Sequence, residues 1–238
     1  MKLIIDIGNT STKLALFDGK EIVRTSNIDE CELLKIERFI SSEIISSSII
    51  SSVKEINTEV SSFLSCYNAI ILTEKTKVPL TNKYKTPDTL GKDRLAGVIG
   101  ATFLYPKKDI LVLDAGTCLT IDFVNAQKEY IGGRISPGMK MRFKALHTFT
   151  DQLPLVHQEN LENYIGNDTD SSISSGVQQG ILAEVKLIIS EYKLRNTDTI
   201  AVVTGGDCFF FEKELKNSIF ANPNLVFIGL NEILDYNE

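Results

Sequence analysis

The sequence lacks the residue patterns that build structural zinc sites, disulfide frameworks and membrane-spanning helices. Its four cysteines stand apart, without a C-x2-C pair, which argues against structural zinc and a disulfide framework and favours a reducing, cytoplasmic compartment. Its two histidines, His147 and His157, have no serine or cysteine nucleophile pattern near them, so we interpret both as non-catalytic. No apolar run approaches the length of a membrane span, so we expect no membrane partner.

Positive charge is also scarce. The chain has 25 lysines and arginines against 31 acidic residues, a net charge of −6, and this balance argues against a general nucleic-acid-binding surface. Hydrophobic residues make up 43% of the 238 positions. That is enough for one large domain or two small ones, each with its own core.

The stretch from Leu3 to Phe17 has the pattern of a phosphate-binding hairpin. An apolar strand runs into Asp6, the chain turns at Gly8-Asn9-Thr10, and a second strand begins near Thr12. Gly8 permits a positive φ, and Asn9 tolerates one better than most residues. Such a turn exposes backbone N–H groups beside hydroxyls, which is how proteins cradle phosphate. Lys13 adds a positive charge, and Asp6 is placed to hold a hydrated Mg²⁺.

The stretch from Leu111 to Val124 repeats this pattern. Asp114, Gly116 and Thr117 follow an apolar strand, and an ungapped superposition aligns Thr120 with Thr12. Two such units half a chain apart indicate a duplicated architecture whose hairpins face one cleft. The alternative is two ordinary hairpins with acidic turns.

Apolar periodicity predicts alternating strands and helices, and therefore an α/β fold. We predict two subdomains, residues 1–106 and 107–238. The expected elements that bear on function are a helix over Leu95–Tyr105, a helix starting at Pro137, a helix over Ser171–Tyr192 and a strand over Leu225–Ile228.

Two further motifs lie where strands end or helices begin. Gly205-Gly206 follows a buried strand and leaves room for a flat ligand such as adenosine, although the pattern is weak alone. In the segment Gly91-Lys92-Asp93-Arg94, Asp93 can accept a proton from an attacking hydroxyl and Arg94 can orient an anion. An equally good interpretation is a carboxylate that complements the helix dipole. Tyr84, upstream, is more simply a core residue.

Four motifs, taken in order, resemble those of type III pantothenate kinases, in the actin/hexokinase/Hsp70 superfamily. They are Asp6-x-Gly8-Asn9-Thr10, Gly91-x-Asp93-Arg94, Asp114-Ala115-Gly116-Thr117 and Gly132-Gly133-x-Ile135-x-Pro137-Gly138. The resemblance implies a duplicated actin-like (ribonuclease H-like) fold, with two sheets flanked by helices and an ATP cleft between them. It also implies ATP-dependent phosphorylation of pantothenate to 4'-phosphopantothenate, the first step of coenzyme A synthesis.

The resemblance further implies roles for single residues. Asp6, Gly8, Asn9, Thr10 and Lys13 would form the first phosphate motif, and Thr117, Gly205 and Gly206 would contact ATP. Asp93 would be the general base, with Tyr84, Gly91, Lys92 and Arg94 around pantothenate. Asp114 would hold K⁺ or NH₄⁺, and Thr169 would complete the pantothenate pocket of a homodimer. One departure is visible, because Phe149 stands where some members carry a histidine.

A homodimer is also suggested by the predicted helix at Ser171–Tyr192, whose apolar residues cover more than one stripe. A helix of this kind is buried on more than one side, either by a second copy or by the loop over Leu153–Tyr164. Two other functions stay open: another small-molecule kinase, such as a sugar kinase, and a non-catalytic homologue acting as a transcriptional accessory protein.

Overall fold

The computed structural model describes residues 1–161 and 164–238, and these fold as two compact units. The first unit comprises Met1–Lys107, Gln127–Ile131 and Asn224–Glu238, and the second comprises Lys108–Ala126 and Gly132–Pro223. These units are defined by compactness. The two subdomains predicted from the repeated hairpin, residues 1–106 and 107–238, stay a prediction.

The described residues alternate between strands and helices, which confirms the α/β prediction. The strands are β1 (Lys2–Ile7), β2 (Thr12–Asp18), β3 (Glu21–Ile28), β4 (Ser47–Ser52), β5 (Ala69–Ile71), β6 (Thr81–Asn82), β7 (Ile110–Ala115), β8 (Cys118–Val124), β9 (Glu129–Pro137), β10 (Ile200–Thr204) and β11 (Phe220–Ala221). The helices are α1 (Leu33–Ile40), α2 (Thr58–Ser65), α3 (Lys92–Leu104), α4 (Met139–Thr148), α5 (Thr169–Arg195), α6 (Cys208–Leu215) and α7 (Leu225–Asn237).

The sheet of the first unit has the order β3-β2-β1-β4-β5, with β1 antiparallel to β2 and parallel to β4. Its central strand β1 is buried on both faces. Leu3 and Ile5 pack towards α1 and α2, whereas Ile4 joins a second core with residues of α3 and α7. Because alternate residues of a strand point to opposite faces, a continuous apolar run is what such a strand requires.

Helices α3 and α7 pack against each other in the first unit at unusually close range. A Cβ atom at Gly100 would overlap the carbonyl oxygen of Leu225, and one at Gly229 would overlap that of Ala96. The predicted strand over Leu225–Ile228 is therefore wrong, because these residues begin α7. A short apolar run suits a buried strand and a buried helix equally, and here most of α7 is buried.

The sheet of the second unit has the order β11-β10-β7-β8-β9, with β7 antiparallel to β8 and parallel to β10. Its core joins these strands to α4, α5 and α6. Pro137 ends β9 instead of starting a helix, and Gly138 precedes α4. The predicted helix start is thus wrong by two residues. Within the described residues, every helix is too short or too polar to cross a membrane.

Candidate active site

The first hairpin joins β1 to β2 in the first unit. Asp6 pairs with Lys13 and Ile7 with Thr12, which leaves a turn of Gly8 to Ser11. The Gly8 N–H donates to the Ser11 carbonyl at 3.0 Å. Neither Gly8 nor Asn9 has a positive φ, so the turn does not use that conformational freedom. Gly8 matters for its size, because a Cβ there would lie 3.2 Å from the Ser11 carbonyl oxygen.

Asp6 is the electrostatic centre of this hairpin. Its side chain is buried, with 9% of the residue exposed. Burial is the main cause that raises the pKa of the Asp6 carboxyl to about 6; the Asp93 carboxylate raises it further, whereas Lys13 and the Ser51 hydroxyl lower it. Two carboxylates, a lysine and a serine therefore lie within electrostatic range of one another. A pair of carboxylates beside one ammonium group attracts a further cation.

Helix α3 begins with the segment that carries Asp93. The Asp93 carboxylate accepts a hydrogen bond from the Arg94 N–H at 2.8 Å, and a Cβ at Gly91 would lie 2.5 Å from the same carboxylate oxygen. Lys92 Nζ donates to the Ser52 carbonyl at 3.3 Å, which anchors the start of α3 to the end of β4. The interpretation of Asp93 as a dipole-complementing residue fits its place in the first turn, but its proximity to Asp6 is an additional feature that this interpretation leaves unexplained.

Arg94 and Tyr84 form a cationic and aromatic pair. The Arg94 guanidinium carbon lies 5.7 Å from the centre of the Tyr84 ring, within the range of a cation–π contact. Arg94 is buried, with 6% exposed, whereas Tyr84 is only half-buried. Tyr84 packs beside the buried Tyr130, ring centres 5.9 Å apart, so it lies at the border of the core and is partly exposed.

The second hairpin joins β7 to β8 in the second unit. Asp114 pairs with Thr120, and Ala115 with Leu119, so the turn is one residue shorter than in the first hairpin. The predicted correspondence of Thr120 with Thr12 is therefore wrong, since Thr120 takes the place that Lys13 has opposite Asp6. The Thr120 hydroxyl oxygen is buried and has no hydrogen-bond partner among the described residues.

The turn after β10 packs on this second hairpin. Gly205 has a φ of 90°, which favours glycine, and a Cβ there would lie 2.5 Å from both the Asp114 carboxylate and the Ala115 carbonyl oxygen. The Asp207 N–H donates to the Ala115 carbonyl at 2.9 Å. Burial raises the pKa of Asp207, and Lys140 lowers it. The structure thus brings Gly205 to Asp114, while Gly206 has open space around its Cα.

Gly138 buttresses the same hairpin from the other side. Its N–H donates to the Thr117 carbonyl at 3.1 Å, and a Cβ there would overlap the Gly116 carbonyl oxygen. Gly138, the residue between β9 and α4, therefore supports the Gly116-Thr117 turn.

A third group of predicted residues lines a cavity of about 1370 Å³ in the second unit. Thr169, the first residue of α5, and Phe149, just after α4, both lie on its wall. The helix is capped by Asp168, which accepts from the Ser171 N–H at 2.8 Å. Phe149 is 85% exposed, so its ring offers apolar surface where a histidine would offer hydrogen bonds.

The described residues contain no cluster of three histidine, cysteine or acidic side chains that could hold a metal ion by themselves. Mg²⁺ keeps several waters and is held by one or two carboxylates together with phosphate oxygens, so it needs no such cluster. The buried Asp6 carboxylate is a hard oxygen ligand of the kind that suits a hydrated Mg²⁺. In the second hairpin, Asp114 is opposite Thr120, whose hydroxyl oxygen has no partner among the described residues.

Comparison with known proteins identifies the family. The model of the type III pantothenate kinase family matches residues 2–191. A type III pantothenate kinase from Phocaeicola vulgatus is 44% identical over 240 residues, which cover 100% of this chain and 99% of that protein. A second, from Christiangramia forsetii, is 41% identical over 246 residues, covering 100% of this chain and 99% of that protein.

Solved structures show the fold independently. A conserved candidate transcriptional activator of the Baf family from Campylobacter jejuni has a TM-score of 0.64 at 22% identity, covering 99% of this chain and 98% of that one. At these identities the likeness concerns the fold alone, which is the α/β fold of actin-like ATPases, with two mixed sheets flanked by helices. By its family model and its full-length relatives, this chain is a member of the type III pantothenate kinase family.

Proposed function

We propose that the chain phosphorylates pantothenate with ATP and Mg²⁺, the first step of coenzyme A synthesis. Family membership supports the reaction. The observation that carries the proposal is the grouping of Asp6, Lys13 and Asp93 at the ends of β1 and β2 and the start of α3. One carboxylate suits a metal and the other a substrate hydroxyl, and phosphoryl transfer needs both.

Asp93 is the general base of the proposed reaction. The transferred phosphoryl group passes through a loose transition state, so the protein mainly positions the hydroxyl and neutralises charge. The Arg94 N–H holds the Asp93 carboxylate in place, which fixes the oxygen that accepts the hydroxyl proton. Gly91 and Lys92 shape the surrounding turn, and the Arg94–Tyr84 pair offers charge and an aromatic face to the pantothenate carboxylate and chain.

ATP is bound through the two hairpins. In the first unit, the Gly8-Asn9-Thr10 turn and Lys13 receive phosphate, and Asp6 holds Mg²⁺ through water; bound Mg²⁺ offsets charge on the phosphate oxygens. In the second unit, Thr117 and the Gly205-Gly206 turn receive the remainder of the nucleotide. The open space at Gly206 supports contact with a flat base.

A monovalent cation, K⁺ or NH₄⁺, occupies the second hairpin in this proposal. Asp114 supplies the carboxylate. The Thr120 hydroxyl opposite it has an unused oxygen, and hard cations prefer such oxygen ligands. The second hairpin, unlike the first, has no lysine opposite its aspartate. A cation held there by Asp114 would offset charge on the phosphate oxygens.

The working unit is proposed to be a homodimer. The support for it is not the apolar surface of α5 that the sequence suggested. Of the apolar residues that suggested two-sided burial of α5, all but Leu187 are buried or packed within the chain; they are Ile173, Val177, Ile181, Leu182, Val185, Ile188 and Ile189. The argument from extra apolar stripes is therefore wrong.

The exposed face of α5 supports the dimer instead. It carries small residues at helical spacing, followed by Leu187: Ser172, Gly176, Gly180 and Ala183. A Cβ at Gly176 or Gly180 would meet nothing within 4 Å among the described residues. That part of the chain therefore does not explain two glycines that each cost roughly 1 kcal/mol of helix stability. Close approach of the same helix from a second copy explains both, and twofold pairing is the commonest symmetry.

The shared pocket is tested by mixing two poorly active variants, Asp93→Asn and Thr169→Arg, with sedimentation to establish the oligomer. If Thr169 reaches the partner's Asp93, a mixed dimer has both lesions in one site and an intact second site. Activity then recovers towards half of normal per dimer. A monomer in solution, or no recovery after verified subunit exchange, contradicts the shared pocket and leaves the kinase assignment standing.

The reaction itself is tested with a coupled ADP-release assay on a substrate panel. Pantothenate should support turnover, and hexoses should not. The four free cysteines, together with ATP as substrate, also support a cytoplasmic enzyme. A chain that binds ATP but turns over no member of the panel would instead act as a non-catalytic homologue.

A further inference from the structure

Ser51, near the end of β4, has a hydroxyl with no evident structural use. The residue is 1% exposed, and its hydroxyl oxygen has no hydrogen-bond partner among the described residues. A hydroxyl buried without a partner costs free energy. Alanine or valine would avoid this cost in a buried strand, so the hydroxyl points to a polar neighbour within its reach.

The register of the sheet supplies that partner. Strands β1 and β4 run parallel, and Ser51 is directly opposite Asp6, so both side chains leave the same face of the sheet. Neighbouring strands lie about 4.8 Å apart, so the Ser51 hydroxyl is within reach of the Asp6 carboxyl opposite it. Asp6 is also the residue proposed to hold hydrated Mg²⁺.

The other serines of β4 show that this placement is particular. Ser52 donates to the Lys54 carbonyl at 2.7 Å and Ser48 to the Tyr67 carbonyl at 3.3 Å, so both have local structural partners. Ser47 is buried without a partner, like Ser51, but it is opposite Lys2. It lies four residues, or roughly 13 Å, from Ser51 along the strand.

We propose that Ser51 is a positioning residue for the phosphoryl-transfer reaction. Its hydroxyl donates a hydrogen bond to one oxygen of the ionised Asp6 carboxylate and so holds that side chain in the orientation it uses towards hydrated Mg²⁺. A hydrogen bond to a charged group is stronger than one between neutral groups, and a fixed carboxylate loses less freedom when Mg²⁺–ATP binds. The inference rests on the proposed function, since it presumes Mg²⁺–ATP at the first hairpin.

The test compares Ser51→Ala and Ser51→Cys with Ser47→Ala. Each alanine variant removes one buried, unpartnered hydroxyl from the same strand, so any general effect on β4 is shared. The cysteine fills nearly the same volume but has only a weak donor. The readouts are kcat, the KM for pantothenate, the affinity for Mg²⁺–ATP by calorimetry, and Tm.

We expect both Ser51 variants to lose kcat and Mg²⁺–ATP affinity by a combined factor of roughly ten to one hundred, the range for a hydrogen bond to a charged group. The KM for pantothenate and Tm should stay close to the values of Ser47→Ala. Full function in Ser51→Cys would show that Ser51 only fills space, and a loss no greater than that of Ser47→Ala would show a structural role; either result overturns the proposal. A parent protein without pantothenate turnover would instead refute the proposed function.

Discussion

The two hairpins carry the same Asp-x-Gly turn but have different neighbours. In the first, Lys13 is opposite Asp6, and Asp93 and Ser51 lie within electrostatic range of the carboxylate. In the second, a turn shorter by one residue puts Thr120 opposite Asp114, and Gly205 packs against the carboxylate. One residue of turn length therefore exchanges a fixed ammonium group for a neutral hydroxyl. In the proposed reaction, the first hairpin therefore supplies its own positive charge through Lys13, whereas the second takes a cation from solution.

The largest expected effect comes from removing the Asp93 carboxylate, which lies near Asp6. We expect Asp93→Asn to lower kcat by roughly 10²–10⁴, the range for loss of a general base, because the amide cannot accept the hydroxyl proton. Turnover assays with folding checked by Tm measure this. Asp88→Asn, an exposed neighbour in the preceding turn, is the control and should stay active. Near-normal turnover in Asp93→Asn would exclude Asp93 from the mechanism.

The buried Asp6 should also be visible in stability. Its pKa is raised from 3.8 to about 6, so between these values the folded protein binds more protons than the unfolded chain. The stabilising contribution is full below pH 3.8 and is lost as the pH rises through 6, by about 3 kcal/mol in total. Denaturant unfolding of metal-free protein across this range should show the decline.

Two variants sharpen that measurement. Asp6→Asn should abolish most of the decline, whereas Asp18→Asn, at the exposed end of β2, should keep it. An equally steep decline of the unfolding free energy in Asp6→Asn would assign the titration to another group. It would contradict the raised pKa of the buried Asp6 carboxyl.

The second hairpin is expected to depend on a monovalent cation. Activity should rise steeply with K⁺ or NH₄⁺, by roughly ten- to a hundredfold if the cation makes one charge-assisted contact, and Na⁺ at equal ionic strength should not replace it. Asp114→Asn should lose this activation. Full activity of the unaltered protein in a sodium-only buffer would contradict the cation site.

The smallest expected effect comes from copying the first hairpin's lysine into the second. Thr120→Lys places an ammonium group opposite Asp114, so we expect the variant to need less K⁺ for half-maximal activity or to lose most of its activation. Thr120→Val removes the hydroxyl without adding charge and should remain K⁺-dependent. Unchanged K⁺ dependence in a folded Thr120→Lys protein would contradict this. It would show that the residue opposite Asp114 does not determine whether a cation from solution is needed.

The sequence anticipates those parts of the molecule that depend on local pattern. The apolar run of β1 predicted a strand buried on both faces, and the Asp-x-Gly turns predicted both hairpins. Register was hidden, because an ungapped comparison cannot show that one turn is a residue shorter and that Thr120 therefore faces Asp114. The strand predicted at Leu225–Ile228 failed for a related reason, since only the close packing on α3 shows that this apolar run is helical.

Ser51 illustrates what remains out of reach without the fold. In the sequence it belongs to a serine- and isoleucine-rich stretch that looks like low complexity. Ser51 meets Asp6 only because β4 pairs with β1. Parallel strands are joined by a long crossover, so the two residues are far apart in the chain. No local pattern encodes which of four similar serines faces the carboxylate.

Direct identification of the product is the measurement that tests the central claim. The protein is incubated with ATP, Mg²⁺, K⁺ and pantothenate, and the products are analysed by mass spectrometry alongside the Asp93→Asn variant. The account predicts 4'-phosphopantothenate and ADP in equal amounts, with little of either from the variant. ADP formed equally with and without pantothenate, or no phosphorylated pantothenate from a protein shown to bind ATP, would contradict it.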